Sequence, residues 1–136
     1  MKKYLFTIVC LAIFAQLTFA QSNVVDIENL KSNFASSQGI KVTDIKSASF
    51  LTFGDQHFGY FKYIKDGKPH TTAQEYALGG PGGIIPAGAT ITCNGVGCAE
   101  CDIEGLPNVM NVYCNCKRIV SEGGYCNMTK SITIGN

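Results

Sequence analysis

The sequence predicts an α+β fold: an N-terminal helix on an antiparallel β-meander, followed by a small disulfide-rich β subdomain. Three observations carry the prediction. One stretch near the start has apolar residues at helical spacing. The stretch after it turns to β-branched and aromatic residues punctuated by Gly and Asp, and six of the seven cysteines crowd between Cys93 and Cys126.

Residues 1–20, MKKYLFTIVCLAIFAQLTFA, begin with Lys2 and Lys3, continue through an uncharged run from Leu5 to Phe14, and end with Thr18 and Ala20 at small-residue positions. This reads as a secretory signal peptide cut before Gln21. The apolar run falls short of the ~20 residues that a spanning helix needs. Cys10 follows Val9 rather than a small residue, which argues against a lipid anchor. The 116 residues from Gln21 to Asn136 suit one domain with a modest core. No later stretch is apolar enough to span a bilayer, and the MKK start has a bacterial look.

Loss of Lys2 and Lys3 leaves nine basic against ten acidic side chains, a net charge of −1. Arg118 is the sole arginine and the lysines do not cluster, so a phosphate-tracking surface for nucleic acid has little to build on.

The first division, residues 21–78, holds the helix and the meander. DIENLKSNFASSQG offers Asp26 as a cap, spaces Ile27, Leu30 and Phe34 at helical intervals and closes on Gly39. From Ile40 three strands follow, with turns at Gly54-Asp55 and Asp66-Gly67. The second turn is a strong two-residue hairpin signal, because both of its positions tolerate positive φ. Pro69 suggests that the third strand is an edge. GGPGGIIPAG, residues 79–88, holds five glycines and two prolines, so a connecting loop over 79–90 is expected to end the meander there. In the last division, 91–136, VMNVYCNCKRIV and YCNMTKSITI read as two strands of one hairpin joined by SEGG.

CNGVGCAEC has the C-x4-C-x2-C spacing of a plant-type iron–sulfur site. An exported, unfolded chain would not carry a cytoplasmic cluster, and three further cysteines sit nearby. Zinc on Cys98, Cys101, Cys114 and Cys116 is the other metal reading, and it wants a reducing compartment. A thioredoxin-like pair at Cys98 and Cys101 needs a following helix, which Gly105 and Pro107 forbid. An even number of cysteines in an exported chain favours disulfides among Cys93, Cys98, Cys101, Cys114, Cys116 and Cys126, with no cofactor.

Register sharpens the pairing. If 109–120 and 125–134 pair about a loop of Glu122, Gly123 and Gly124, Cys126 lies opposite Val120. Cys116 is then roughly 13 Å away, beyond the ~7 Å limit for a bridge. Cys114 and Cys116 are poorly disposed to join each other. Each of the last three cysteines must therefore pair with one of the first three, and Cys93 to Cys126 is favoured, with Cys98 and Cys101 bridging Cys114 and Cys116 in unresolved order.

As binding candidates the sequence offers Tyr60 and Tyr63, part of an unusually aromatic meander that presents rings on both faces, and His57 and His70, which with Asp55 have the chemistry of a metal or acid–base site. The alternative for the aromatics is that the helix covers one face and the cysteine subdomain the other. Asn127-Met128-Thr129 is a glycosylation sequon. No nucleophile has a local signature, so no enzyme is read here. The functional expectation is a secreted or periplasmic, disulfide-stabilised binding module for a protein or glycan ligand, with the aromatic face and the Gly79 to Gly88 loop as contact surface. A secreted protease inhibitor presenting that loop, or a small zinc or iron–sulfur protein, is the second reading.

Overall fold

Asp26 starts the helix by accepting hydrogen bonds from the backbone N–H groups of Glu28 and Asn29 on its carboxylate. Helix α1 then runs Ile27–Gln38 and ends at Gly39, whose φ of 64° turns the chain so that its N–H and that of Ile40 donate to the Ser36 and Ala35 carbonyls. In this computed structural model residues 25–80 and 83–133 are described. The expected signal peptide, residues 1–20, lies outside them.

A short 3₁₀ turn, Val42–Asp44, leads into seven strands: β1 Ile45–Phe53, β2 Gln56–Lys65, β3 Lys68–Leu78, β4 Ile84–Val96, β5 Cys98–Glu104, β6 Tyr113–Ile119 and β7 Tyr125–Thr133. The architecture is the expected α+β one. β1 to β4 form an antiparallel meander, β7 adds to it in the order β1-β2-β3-β4-β7, and β5 and β6 pair separately. Both expected turns are present, closed by Phe53 opposite Gln56 and Lys65 opposite Lys68. Asp66 and Gly67 take φ of 52° and 71°, the left-handed pair that such a hairpin turn requires.

Three expectations are corrected. β3 is interior, not an edge: Pro69 pairs with Ile64 of β2, but pairing with β4 begins one residue later, at His70 opposite Asn94. Its missing N–H therefore falls outside the β3–β4 ladder. The meander also continues past Gly79, since β4 starts at Ile84, with Leu78 opposite Ile84. Pro86 and Gly88 are tolerated there because β7 joins β4 only from Gly88 and a register shift between Gln74 and Tyr76 interrupts the ladder between them.

The third correction concerns the cysteine-bearing strands. β6 and β7 do not pair with each other; β6 pairs with β5 and β7 with β4. Residues 88–104 and 113–133 form one long two-stranded ribbon, bent at Gly97, with its true loop at 105–112. Val96 lies opposite Tyr125 and Cys98 opposite Ile119, so the inner strand advances two residues at the corner while the outer advances six. The SEGG segment is this outer detour. The N–H groups of Val120 and Ser121 both donate to the Gly97 carbonyl and hold the corner shut. Gly97 has φ of 63°, and a Cβ on Gly124 would stand 2.1 Å from the Gly97 oxygen.

The bend lays β5–β6 across one face of the sheet while α1 covers the other. Under α1 lie Leu30, Phe34, Ile45, Phe61, Tyr63 and Tyr76. Under the ribbon lie Phe58, Ala73, Ala89, Ile91, Cys93, Cys98, Cys101, Ile103 and Val112. Alternation along β2 sends Phe58 to the ribbon side and Phe61 and Tyr63 to the helix side.

Candidate functional site

The disulfides fix where the ribbon sits. Cys93 bonds Cys114, Cys98 bonds Cys116 and Cys101 bonds Cys126, with Cα separations of 5.7, 6.0 and 6.0 Å. Each joins an early cysteine to a late one, as expected. The favoured Cys93 to Cys126 bridge does not form, because the hairpin register behind it is not the one adopted: Cys126 stands opposite Gly95, and Cys93 opposite Met128. Two bridges tie layers together, β4 to β6 and β7 to β5, and the third, Cys98 to Cys116, lies within the β5–β6 pair.

The sulfurs of Cys98, Cys101 and Cys126 lie within 4.8 Å of one another, a grouping compatible with a metal site. All three are bonded in disulfides, and zinc binds thiolates, so the structural role is favoured. Cys98-Ala99-Glu100-Cys101 lies inside β5, with no helix N-terminus to activate a thiol.

Polar side chains of β2 and β3 anchor β5 from beneath. The Ile103 N–H donates to the Tyr60 hydroxyl at 3.0 Å, and the buried Thr71 hydroxyl donates to the Cys101 carbonyl. Lys62 Nζ stands 2.8 Å from Glu100 Oε1 and 2.5 Å from Asp102 Oδ1. Burial opposes a charge on Lys62, but these two carboxylates outweigh it and hold its pKa well above the usual lysine range.

Where β5 leaves the corner it does not close fully on the β2–β3 turn. A cleft of about 300 Å³ remains, lined on the sheet side by Lys46, Lys62, Tyr63, Ile64, Pro69, His70 and Thr71, and on the ribbon side by Ala99, Glu100, Cys101 and Arg118. Lys46 and Arg118 make no ion pair among the described residues. His70 is held by donating Nδ1–H to the Lys68 carbonyl at 3.0 Å and by stacking on Tyr63 at 5.3 Å. A smaller cavity of about 80 Å³ separates α1 from β3 and β4 at Phe34, Tyr76 and Pro86.

The four residues expected to bind are dispersed. Tyr63 and His70 pair across β2 and β3 where these strands border the cleft, their rings stacked on the helix side. Tyr63 is only 2% exposed, with its hydroxyl 3.0 Å from that of Thr72, and burial raises its pKa. Tyr60 is half-buried on the opposite face, its pKa likewise raised by burial, and packs against the ribbon-side core. The aromatic face is therefore packing, covered by helix and ribbon, rather than an open platform. His57 stacks on Phe50 at 5.8 Å and hydrogen-bonds Thr52 Oγ1 at 3.2 Å. It pairs with Tyr76, six residues along β2 from the Tyr63 partner of His70, so roughly 20 Å of strand separates the histidines. Asp55, His57 and His70 do not form one site. The Gly79 to Gly88 segment is not an extended loop either: Gly79 N–H donates to the Gly83 carbonyl, and Ile84 onward is strand.

Lys46, Lys62, Glu100 and Arg118 were not singled out by the sequence pattern as a group. The one available signal was that Arg118 is the only arginine. Comparison with protein-family models, curated proteins and solved structures found no match for this chain.

Proposed function

We propose that this chain is an exported, disulfide-stabilised binding module for a small ligand, and that its contact site is the cleft between the β2–β3 turn and β5. The signal-like residues 1–20 and the three bridges support export to an oxidising compartment. Among the described residues no helix is long and apolar enough to cross a membrane.

The observation that carries the reading is the cleft itself. Its volume sits at the lower end of the range for small-molecule sites, and its lining combines the apolar Ile64 and Pro69 with a few convergent charges. Its residues come from β1, β2, β3, β5 and β6, and the Cys93–Cys114 and Cys101–Cys126 bridges tie β5 and β6 to the sheet, which is the preorganisation that lowers the entropic cost of binding. No nucleophile stands in it beyond bridged sulfur and the engaged Thr71 hydroxyl, so binding rather than turnover fits the groups present. The inhibitor reading loses its main support with the extended loop gone.

Amide chemical-shift mapping of the oxidised mature chain against a panel of sugars, amino acids and short peptides tests this. Shifts gathered at Tyr63, His70, Ala99 to Cys101 and Arg118 are expected. Ligands that shift only the helix side or the Gly79 to Gly88 segment would place the site elsewhere.

A further inference from the structure

We infer that the cleft recognises a monoanionic sugar acid, with its carboxylate held between Arg118 and Lys46; this rests on the binding-module reading above. The inference begins with charge. Three cations line the cleft, but Lys62 is spent on Glu100 and Asp102, which between them carry one more charge than it neutralises. Lys46 and Arg118 have no carboxylate partner among the described residues. The five groups together leave one positive charge. A carboxylate balances it, whereas a phosphate dianion would leave a negative charge beside Glu100.

Arg118 decides the head group. It stands opposite Glu100 in the β5–β6 ladder yet forms no salt bridge with it, so its planar fork is left for an incoming acceptor. The neighbouring Lys117 shows what the alternative looks like: on the same strand its ammonium is engaged by Glu104.

Volume and lining decide the rest of the ligand. About 300 Å³ accommodates one ring and not a chain. Pro69 and Ile64, paired across β3 and β2, give an apolar wall for a ring face, while Glu100, with one oxygen on Lys62, keeps its other to accept from ring hydroxyls. An apolar face, hydroxyl edges and one carboxylate together describe a uronic-acid type of sugar.

The test uses the oxidised mature chain with three probes: glucuronate, glucose, and glucose 6-phosphate, followed by amide shifts at the cleft. Glucuronate is expected to bind there, glucose at least tenfold more weakly, and the phosphate ester no better than glucuronate. R118Q is expected to weaken glucuronate by roughly tenfold to a hundredfold, the loss of a charged hydrogen-bonded contact, with K46Q smaller and H57Q without effect. Raised salt is expected to weaken it further. Equal binding of glucose and glucuronate in the cleft would overturn the acid assignment while leaving the binding module standing. Tighter binding of the phosphate ester would overturn the single-charge argument. No shift at the cleft with glucuronate would overturn the inference outright, whatever other ligand the panel reveals.

Discussion

On the helix side of the sheet, Phe34 lies ring on ring over Phe61 at 3.8 Å, and Tyr63 meets Phe34 edge-on at 5.3 Å. On the ribbon side the sheet offers one buried ring, Phe58, and Ile91 among smaller residues, Ala73, Ala89 and half-cystines, and the ribbon brings Ile103 and Val112 rather than a ring to stack on it. The same sheet is thus closed twice. One layer is held by non-covalent stacking of large rings, and the other adds two bridges that tie it to the sheet and a third within it. The difference teaches where a short chain needs covalent help: a two-stranded ribbon is marginal alone, whereas a capped amphipathic helix with two large anchors is not.

Full reduction should break this comparison most strongly. Hydrogen exchange is expected to show the amides of β5 and β6 losing protection first while those of β2, β3 and α1 persist. If α1 opens together with the ribbon, the layers are one cooperative unit and the contrast fails. Next in size is Phe34→Ala, which removes a side chain 1% exposed and is expected to cost about 3–5 kcal/mol in urea unfolding. Its exchange pattern should be the reverse, with α1 opening while the stapled ribbon stays protected. Thr71→Val keeps the shape but strands the Cys101 carbonyl, and a loss of about 1–3 kcal/mol is expected from the same measurement.

The smallest effects are in pH, and they separate the layers by sign. Tyr76, under the helix, is pushed up to about 12 by burial. Its folded pKa exceeds the ordinary 10.0, so its contribution is whole below pH 10 and is lost as pH rises toward 12. Glu104, on the ribbon, is drawn down to about 2 by Lys117, Tyr113 and Asn115. Its contribution is present above the ordinary 4.5 and is lost as pH falls toward 2. Glu104→Gln should flatten the acid limb of a stability–pH profile and leave the alkaline limb untouched.

Much of the helix layer was legible in the sequence, because its signals are local. Asp26 and Gly39 mark the ends of α1, and Asp66-Gly67 marks a turn, wherever the rest of the chain goes. The ribbon was legible only in part. Alternation along 113–119 and 125–133 identifies strands but not their partners, since the pattern is the same for a neighbour in sequence or a strand thirty residues away. Gly123 and Gly124 promised a hairpin turn, and the chain does turn there, but around the Gly97 corner. The rule that early cysteines join late ones survived that error because it needed only that Cys114, Cys116 and Cys126 be kept apart. The cleft was not legible at all: Lys46 and Arg118 are exposed charges without a motif, and only the folding of the ribbon over the sheet brings them to one opening.

The central claim is that a bent ribbon, not a terminal hairpin, is stapled to the sheet, and disulfide mapping tests it most directly. Partial reduction and alkylation of the non-reduced mature protein, read by tandem mass spectrometry, should give Cys93 with Cys114, Cys98 with Cys116 and Cys101 with Cys126. A Cys93 to Cys126 bridge, or any bridge within either trio of cysteines, would contradict it.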